Sequence, residues 1–110
     1  MRKRVTFRHM DPTPDVENYA YTALERVMGA LEHERSPINV DLVLSPGRPH
    51  AHHSVELLIK TPNHDIICKE EGPHFYQLLD AACDLAYRKI HEQKERLLEG
   101  RKKDDTYKGV

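Results

Sequence analysis

The chain has 110 residues, the size of one small domain, so a second folded module is excluded. Hydrophobic residues make up 38% and charged residues 32%, a composition typical of a soluble globule with one modest core. The formal net charge of −1 excludes a uniformly basic protein, but the charge is unevenly distributed. Basic residues concentrate in segments 1–10 and 85–103 and acidic residues in 11–34, so a polyanion would meet two local basic zones.

The first two predicted elements are a strand and an amphipathic helix. Side chains alternate over residues 2–9, with Val5 and Phe7 on one side, which predicts a half-buried strand with a basic outer face. Thr13 is placed to cap a helix that begins at Pro14. Hydrophobic residues then recur at helical spacing for about four turns.

Three more strands are predicted in the middle of the chain. Hydrophobic and polar residues alternate over 38–44 and again over 55–59, and a segment rich in Pro and Gly separates the two runs. Residues 61–64, Thr-Pro-Asn-His, predict a turn into a fourth strand over 66–70. Because this connection is short, we expect strands three and four to form a hairpin.

A second amphipathic helix is predicted to follow the sheet. It starts near Phe75, and Gly100 is a suitable residue to end it, which leaves 101–110 as a polar and mobile tail. The predicted fold class is α+β with the order β-α-β-β-β-α. Packing both helices on one face of a four-stranded sheet buries the hydrophobic stripes most economically and gives one domain over 1–100.

The sequence contains residue types that can act in catalysis, but they do not form a catalytic motif. Cys68 and Cys83 lie in apolar segments without Cys-x-x-Cys spacing, so both are predicted to be buried thiols. No serine stands in a recognisable nucleophile motif, and no Gly-rich loop is present to hold a phosphate. We therefore expect no enzymatic activity, no small-molecule substrate and no cofactor. With no apolar run of about 20 residues, we also expect a cytoplasmic protein without a membrane contact.

The segment His50-Ala51-His52-His53 allows a metal-binding hypothesis, because His50 and His52 would share one side of an extended chain. Structural zinc usually takes four ligands that include thiolates or a distant pair of histidines, and the sequence places neither cysteine here. Solvated histidines are therefore the favoured interpretation. Zinc recovered with the purified protein would support the alternative.

The second helix carries the strongest functional pattern. Arg88 and Arg96 lie two turns apart, with Lys89 beside them, and a row of such side chains can meet successive phosphates of a nucleic acid. Asp84 and Glu92 each precede an arginine by four residues, so ordinary pairing within the helix explains part of the same pattern. Both interpretations remain open at this point.

Several short motifs in this order resemble the ribosome hibernation-promoting factor family, also described as ribosome-associated inhibitor or sigma-54 modulation proteins. The first is Val5-Thr6-Phe7-Arg8-His9, followed by Thr13-Pro14 at the start of the first helix. The hairpin turn Thr61-Pro62-Asn63 and the segment from Tyr76 to Asp80, with Arg88 beyond it, complete the similarity over about residues 4–98. Since 101–110 is too short for a second domain, the chain resembles the short type of the family.

The resemblance implies the β-α-β-β-β-α fold, similar in outline to a double-stranded-RNA-binding domain, and a function without catalysis. Family members occupy the mRNA and tRNA channel of the small ribosomal subunit, so the resemblance implies inhibition of translation in idle, stressed or stationary-phase cells. The implied rRNA contacts match family motifs at Arg8, Arg26, Arg88 and Arg96. Position and charge add Arg4 and Lys89, together with Arg2, Lys3 and Lys94.

The chain also departs from the family pattern. Glu17, Ala23, Leu85 and Glu92 stand where the family tends to be basic, and His64 stands where its turn has glycine. Fewer basic residues mean fewer phosphate contacts and weaker, salt-sensitive binding. Two alternatives therefore stand beside ribosome binding: a protein-interaction module that kept the fold, and a general binder of double-stranded RNA. The oligomeric state is not predicted.

Overall fold

A computed structural model describes residues 1–47 and 52–108, with side chains through residue 98. The element order is β-α-β-β-β-α, as predicted. The elements are β1 (Arg2–Phe7), α1 (Pro14–Ala30), β2 (Asn39–Ser45), β3 (His53–Lys60), β4 (Asp65–Gly72) and α2 (Phe75–Lys108).

The four strands form one sheet in the order β1-β2-β3-β4. β1 runs parallel to β2, because α1 carries the chain back across the sheet before β2 begins. β2, β3 and β4 are antiparallel neighbours, and β3 and β4 form the predicted hairpin, with Lys60 opposite Asp65 at its closed end. β1 and β4 are therefore the two edge strands.

Both helices pack on one face of the sheet, as the hydrophobic pattern predicted. β2 and β3 contribute alternate residues to this face, and α2 contributes a stripe that includes Leu79, Ala86 and Ile90, all fully buried. α2 packs over β3 and β4 and against α1. The core is aliphatic, with Ala20, Leu24, Val27, Leu31, Val40, Leu42, Leu44, Val55, Leu57, Ile59 and Ile66 as further buried members.

The other face of the sheet is open, and the strand registers order its side chains into rows. The first row crosses the sheet from Arg2 through Asn39 and Lys60 to Asp65, and the second from Arg4 to Ile67. Ile67 is 59% exposed at the centre of β4's outer side. Along β1 this face is basic, and toward β4 its charges are mixed.

α1 starts where the sequence predicts, but the side chain of the predicted cap residue does not cap the helix. The Thr13 backbone is extended, as an N-cap residue should be, and its carbonyl accepts a hydrogen bond from the amide of Glu17 at 2.9 Å. The side chain of Thr13, however, makes no capping hydrogen bond. Pro14 at the first helical position, with Asp15 and Glu17 in the first turn, provides the local preference for starting here.

The prediction that Gly100 ends the second helix is wrong. α2 continues through Gly100 to Lys108, so it spans 34 residues. A single glycine costs a helix only about 0.5–1 kcal/mol, and its neighbours Glu99, Arg101 and Lys102 all favour helix. Mobility of 101–110 stays a prediction, and Gly109 and Val110 lie outside the described residues.

β1 is shorter than predicted. The amide of Arg8 still donates to the carbonyl of Leu44 at 2.8 Å, but His9 adopts a left-handed backbone with φ 59°, which turns the chain away from the sheet. Neither helix, within the described part of the chain, is long and apolar enough to cross a membrane.

Candidate nucleic-acid interface

Two of the predicted site residues meet on the outer surface of the helix layer. Arg26 of α1 and Arg88 of α2 both approach the carboxylate of Asp84, at 3.5 Å and 3.3 Å. The three side chains are 60%, 63% and 48% exposed, so water and salt can reach all of them. The guanidinium of Arg26 also lies 4.0 Å from the centre of the Tyr87 ring, a cation–π contact. We call Arg26, Asp84, Tyr87 and Arg88 the arginine cluster.

Lys89 and Arg96 lie together in a different place, above the edge strand β4. Both line a cavity of about 290 Å³ between α2 and β4, with Glu92 between them. The Lys89 ammonium donates a hydrogen bond to the carbonyl of Ile67 at 3.4 Å. This contact covers a backbone acceptor on the edge strand, which otherwise has no ladder partner on that side. We call Lys89, Glu92 and Arg96 the edge groove.

Arg88 and Arg96 belong to one i, i+4 row of α2, as the sequence indicates, but this row winds around the helix, so the two side chains have different neighbours. Eight residues carry a helix about 80° past two full turns, whereas the seven residues from Lys89 to Arg96 fall about 20° short of two turns. Lys89 and Arg96 consequently share a side of α2. Arg88 pairs with Asp84, which also contacts Arg26 of α1.

The remaining predicted site residues belong to the opposite edge of the sheet. Arg4 is on β1, on the open face, where its guanidinium lies 3.7 Å from the carboxylate of Asp41 on β2. Arg8 follows the last residue of β1 and is exposed. The predicted basic residues are thus divided among the β1 edge, the arginine cluster and the edge groove.

Lys94, which the sequence adds by charge, makes contacts within the protein, and its contact with rRNA stays a prediction. Its ammonium donates to the carbonyl of Ala30 at 2.5 Å and lies 3.9 Å from the carboxylate of Glu34. Glu34 also contacts His64, which is only 2% exposed. This lysine therefore joins α2 to the end of α1.

His64, in the turn between β3 and β4, has an oxygen atom at each ring nitrogen. Nδ1 lies 2.5 Å from Oε1 of Gln93, and Nε2 lies 3.0 Å from Oε1 of Glu34. Burial alone would raise the pKa of Glu34, but hydrogen bonds from His64 and Asn63 and the nearby charges of His64 and Lys94 outweigh it, so the pKa is lowered. His64 is thus part of a buried polar network.

The histidine segment of the metal hypothesis is only partly described. His50 lies outside the described residues, so its place relative to the others is not given. His53 begins β3, where Nδ1 accepts a hydrogen bond from the amide of Gly47 at 2.8 Å and the ring stacks on Phe75. Among the residues that the structure describes, no three His, Cys, Asp or Glu side chains are grouped to hold a metal ion.

Both cysteines are buried free thiols, as the sequence predicted. Burial, with the nearby charge of Asp80, raises the pKa of Cys83 to about 12. Burial also raises the pKa of Cys68. Since the thiolate is the nucleophilic form, neither residue is prepared for covalent catalysis.

Sequence reasoning missed two members of the arginine cluster. The sequence indicates Asp84 only as a partner of Arg88 within its own helix, and no pattern singles out Tyr87. The spacing of four residues does predict the pair that Asp84 forms with Arg88. The contacts of Arg26 depend on how α1 packs against α2, at separations of 58 residues or more in the chain, and no local pattern reports them.

The fold and the basic surface define a small α+β domain with a helix-covered sheet, and solved structures share this fold. It is similar to the N-terminal domain of protein Y from Thermus thermophilus, with a TM-score of 0.66 and 19% identity, over 82% of this chain and 96% of that one. It is also similar to a ribosomal subunit interface protein from Coxiella burnetii, with a TM-score of 0.67 and 16% identity, over 86% and 99%. No curated protein matches the sequence.

The family is given by a sequence model. The description Sigma 54 modulation protein / S30EA ribosomal protein belongs to the model that matches residues 4–98, which is most of the chain. The protein is a member of this family, and the resemblance found in its motifs is confirmed.

Proposed function

We propose that this protein is a cytoplasmic ribosome hibernation factor without catalytic activity. It binds the small ribosomal subunit through contacts of basic side chains with rRNA phosphates and keeps mRNA and tRNA out of their channel. Translation in idle cells is then inhibited by steric occlusion of this channel. Membership of a family described by a ribosomal protein supports the ribosome as the partner.

The observation that carries this proposal is the distribution of the basic residues. Arg4 and Arg8 lie at the β1 edge, Arg26 and Arg88 on the helix layer, and Lys89 and Arg96 beside β4, as described above. A protein that lies on one side of an RNA duplex needs phosphate contacts on one surface only. Basic residues on opposite edges favour a site that encloses the protein, such as a channel lined with rRNA.

The same distribution favours recognition by shape and charge over reading of bases. Arginine and lysine contacts with phosphates fix position and orientation but carry no sequence information. Each contact also releases counterions, so affinity should fall steeply as salt rises. Acidic neighbours of these residues, such as Asp41 and Asp84, reduce the local positive charge and favour moderate affinity.

Sedimentation with purified ribosomes tests the proposal. The protein is mixed with idle ribosomes or with isolated subunits and centrifuged through sucrose at about 50 and 200 mM salt, a range over which phosphate-dominated binding weakens strongly. We expect roughly stoichiometric recovery with the small subunit at low salt and much less at high salt. Absence of recovery at the lower salt concentration would overturn the proposal.

Competition with RNA and an assay of translation complete the test. A short RNA duplex in excess should not displace the protein from the small subunit, whereas a general binder of double-stranded RNA would be displaced. Addition of the protein to a reconstituted translation reaction should reduce initiation on a model mRNA. Binding without inhibition would contradict the occlusion mechanism.

A protein-interaction module remains the second candidate, and the open face of the sheet favours it. Leu58 and Ile67 lie there beside Arg2, Lys60 and Asp65, around a cavity of about 360 Å³. Mixed charge around exposed aliphatic side chains suits a protein surface better than RNA. Leu58→Asn adds no charge and lies outside the edge groove, so it should leave sedimentation with ribosomes unchanged under the first proposal and weaken partner binding under the second.

A further inference from the structure

The arginine cluster brings two guanidinium groups from different helices to one anionic group. Arg26 and Arg88 are separated by 62 positions in the sequence, yet each lies within 3.5 Å of an oxygen of Asp84. We infer that these two arginines form a clamp for one phosphodiester group of RNA, and that Asp84 occupies the clamp in the free protein and competes with the phosphate. This inference rests on the proposed function, whose binding surface it deepens.

The clamp is held in place before any phosphate arrives. Arg26 lies on the ring of Tyr87, and that ring also contacts His91, edge-on at 4.4 Å between ring centres. Stacking uses the flat side of a guanidinium and leaves its N–H edge available for an anion. Tyr87 and Arg88 are consecutive residues of α2, so one short segment of that helix carries both Arg88 and the ring on which Arg26 lies.

The present anion is held loosely enough to be exchanged. Charge-assisted N–H···O contacts between guanidinium and carboxylate are typically about 2.7–2.9 Å. The two contacts of Asp84 are 3.3 Å and 3.5 Å. All three side chains are about half exposed or more, and ion pairs of this kind contribute little to stability. Replacement of the carboxylate by a phosphodiester therefore costs the folded protein little stability.

A phosphodiester fits the same pair of donors as the carboxylate. It carries one negative charge, as Asp84 does, and offers two terminal oxygens that can each accept from one arginine. Asp84 is fixed to α2, however, so its charge remains near the bound phosphate and repels it. The carboxylate consequently lowers the affinity of the clamp and keeps binding reversible.

Asp80 supplies a matched control one turn before Asp84. Its carboxylate accepts hydrogen bonds from the Tyr19 hydroxyl, at 2.8 Å to each oxygen, rather than from an arginine. Asp80→Asn removes the same charge from the same helix without releasing Arg26 or Arg88. It therefore measures the general electrostatic effect of losing one acidic residue.

The experiment measures ribosome binding by the wild-type protein and by the single variants Asp84→Asn and Asp80→Asn. It also includes the double variant Arg26→Gln/Arg88→Gln and the same double variant with Asp84→Asn added. We expect Asp84→Asn to bind roughly 3- to 10-fold more tightly than wild type, the sum expected from two weak surface pairs, and with a steeper salt dependence. Asp80→Asn should change affinity less. In the background without the two arginines, Asp84→Asn should behave like Asp80→Asn, because no clamp remains to be released.

The inference would be overturned if Asp84→Asn and Asp80→Asn changed the affinity for ribosomes equally. It would also be overturned if Asp84→Asn raised the affinity just as much in the variant that lacks Arg26 and Arg88. Either result would leave ribosome binding established. Failure of the wild-type protein to bind ribosomes at any salt concentration would overturn the proposed function and this inference with it.

A direct measurement of phosphate binding does not depend on the ribosome. Side-chain ¹⁵N signals of Arg26 and Arg88 should shift together during titration with dimethyl phosphate and reach half-saturation earlier in Asp84→Asn; unchanged signals in that variant would contradict the clamp.

Discussion

The buried ring of His64 and the carboxylate of Glu34 are joined by a 3.0 Å contact between Nε2 and Oε1. Through this contact the turn between β3 and β4 is tied to the segment that follows α1, and Gln93 and Lys94 extend the connection to α2. Three parts of the chain are therefore held together by one polar network on the side of the molecule where α2 leaves the sheet.

This network predicts loss of stability in acid. Because the folded protein lowers the pKa of Glu34, the stabilisation is present when the carboxylate is ionised and is lost as the pH falls through that lowered pKa. Glu34→Gln should reduce the free energy of unfolding at pH 7 by about 1–3 kcal/mol, since His64 then lacks an ionised acceptor. Urea unfolding followed by circular dichroism between pH 3 and 7 measures both effects.

Glu32→Gln is the matched control for this prediction, since Glu32 is exposed two residues earlier in the chain. It should leave the stability at neutral pH within about 0.5 kcal/mol of wild type. The acid dependence should be smaller in Glu34→Gln than in Glu32→Gln. Identical pH profiles for the two variants would show that Glu34 is not the group responsible.

The separation of the basic residues predicts additive losses in ribosome binding. Arg88→Gln and Arg96→Gln remove charges from the arginine cluster and from the edge groove, so neither change should alter the other's contact. Each should reduce the slope of log affinity against log salt by about 1. Sedimentation at several salt concentrations gives these slopes for the single and double variants. Arg35→Gln removes an exposed arginine outside both groups and should leave the slope unchanged.

The aliphatic core predicts where stability is most sensitive to truncation. Leu79 of α2 is fully buried, so Leu79→Ala should lower the free energy of unfolding by about 2–5 kcal/mol through lost transfer energy and the remaining cavity. Leu98, on the same helix, is 56% exposed, and Leu98→Ala should cost less than about 0.5 kcal/mol. Urea titration of both variants checks the difference. Equal losses would mean that Leu98 is also covered in solution.

The two thiols are predicted to be unreactive in the native protein. Burial raises the pKa of both Cys68 and Cys83, the latter to about 12, so Cys83 carries almost no thiolate at pH 8 and Cys68 carries less than a free cysteine would. Iodoacetamide should modify neither residue in the native protein during a time that labels both in urea. Mass spectrometry counts the added groups. Rapid labelling of native Cys83 would mean that α2 detaches from the core more often than its packing implies.

The elements and their order followed from the sequence because each depends on local patterns. Val5 and Phe7 point into the core, as their alternation indicated, and Pro14 begins α1. The predicted end of α2 is wrong because Gly100 does not stop this helix: a glycine can lie inside a helix when its neighbours favour one.

The sequence predicts which residues are candidates for the site better than it predicts where they lie relative to one another. Charge and spacing identified Arg88 and Arg96, but the side of α2 that each occupies relative to α1 and β4 depends on packing. Lys94 has the same charge as Lys89, yet one side chain turns to Glu34 and the other to the edge of β4. Contacts between residues far apart in the chain decide these cases, and a local pattern does not contain them.

The parallel pairing of β1 with β2 determines when the N-terminal basic residues reach their places. Lys60 and Asp65 meet after closing a loop of only a few residues, whereas Arg2 must wait for Asn39. During synthesis β1 therefore has no partner until β2 has also emerged, and closing the longer loop costs more chain entropy. Arg4 acquires its fixed position only after α1 and β2 have been made, so a nascent chain cannot present the complete basic surface to the ribosome that is producing it.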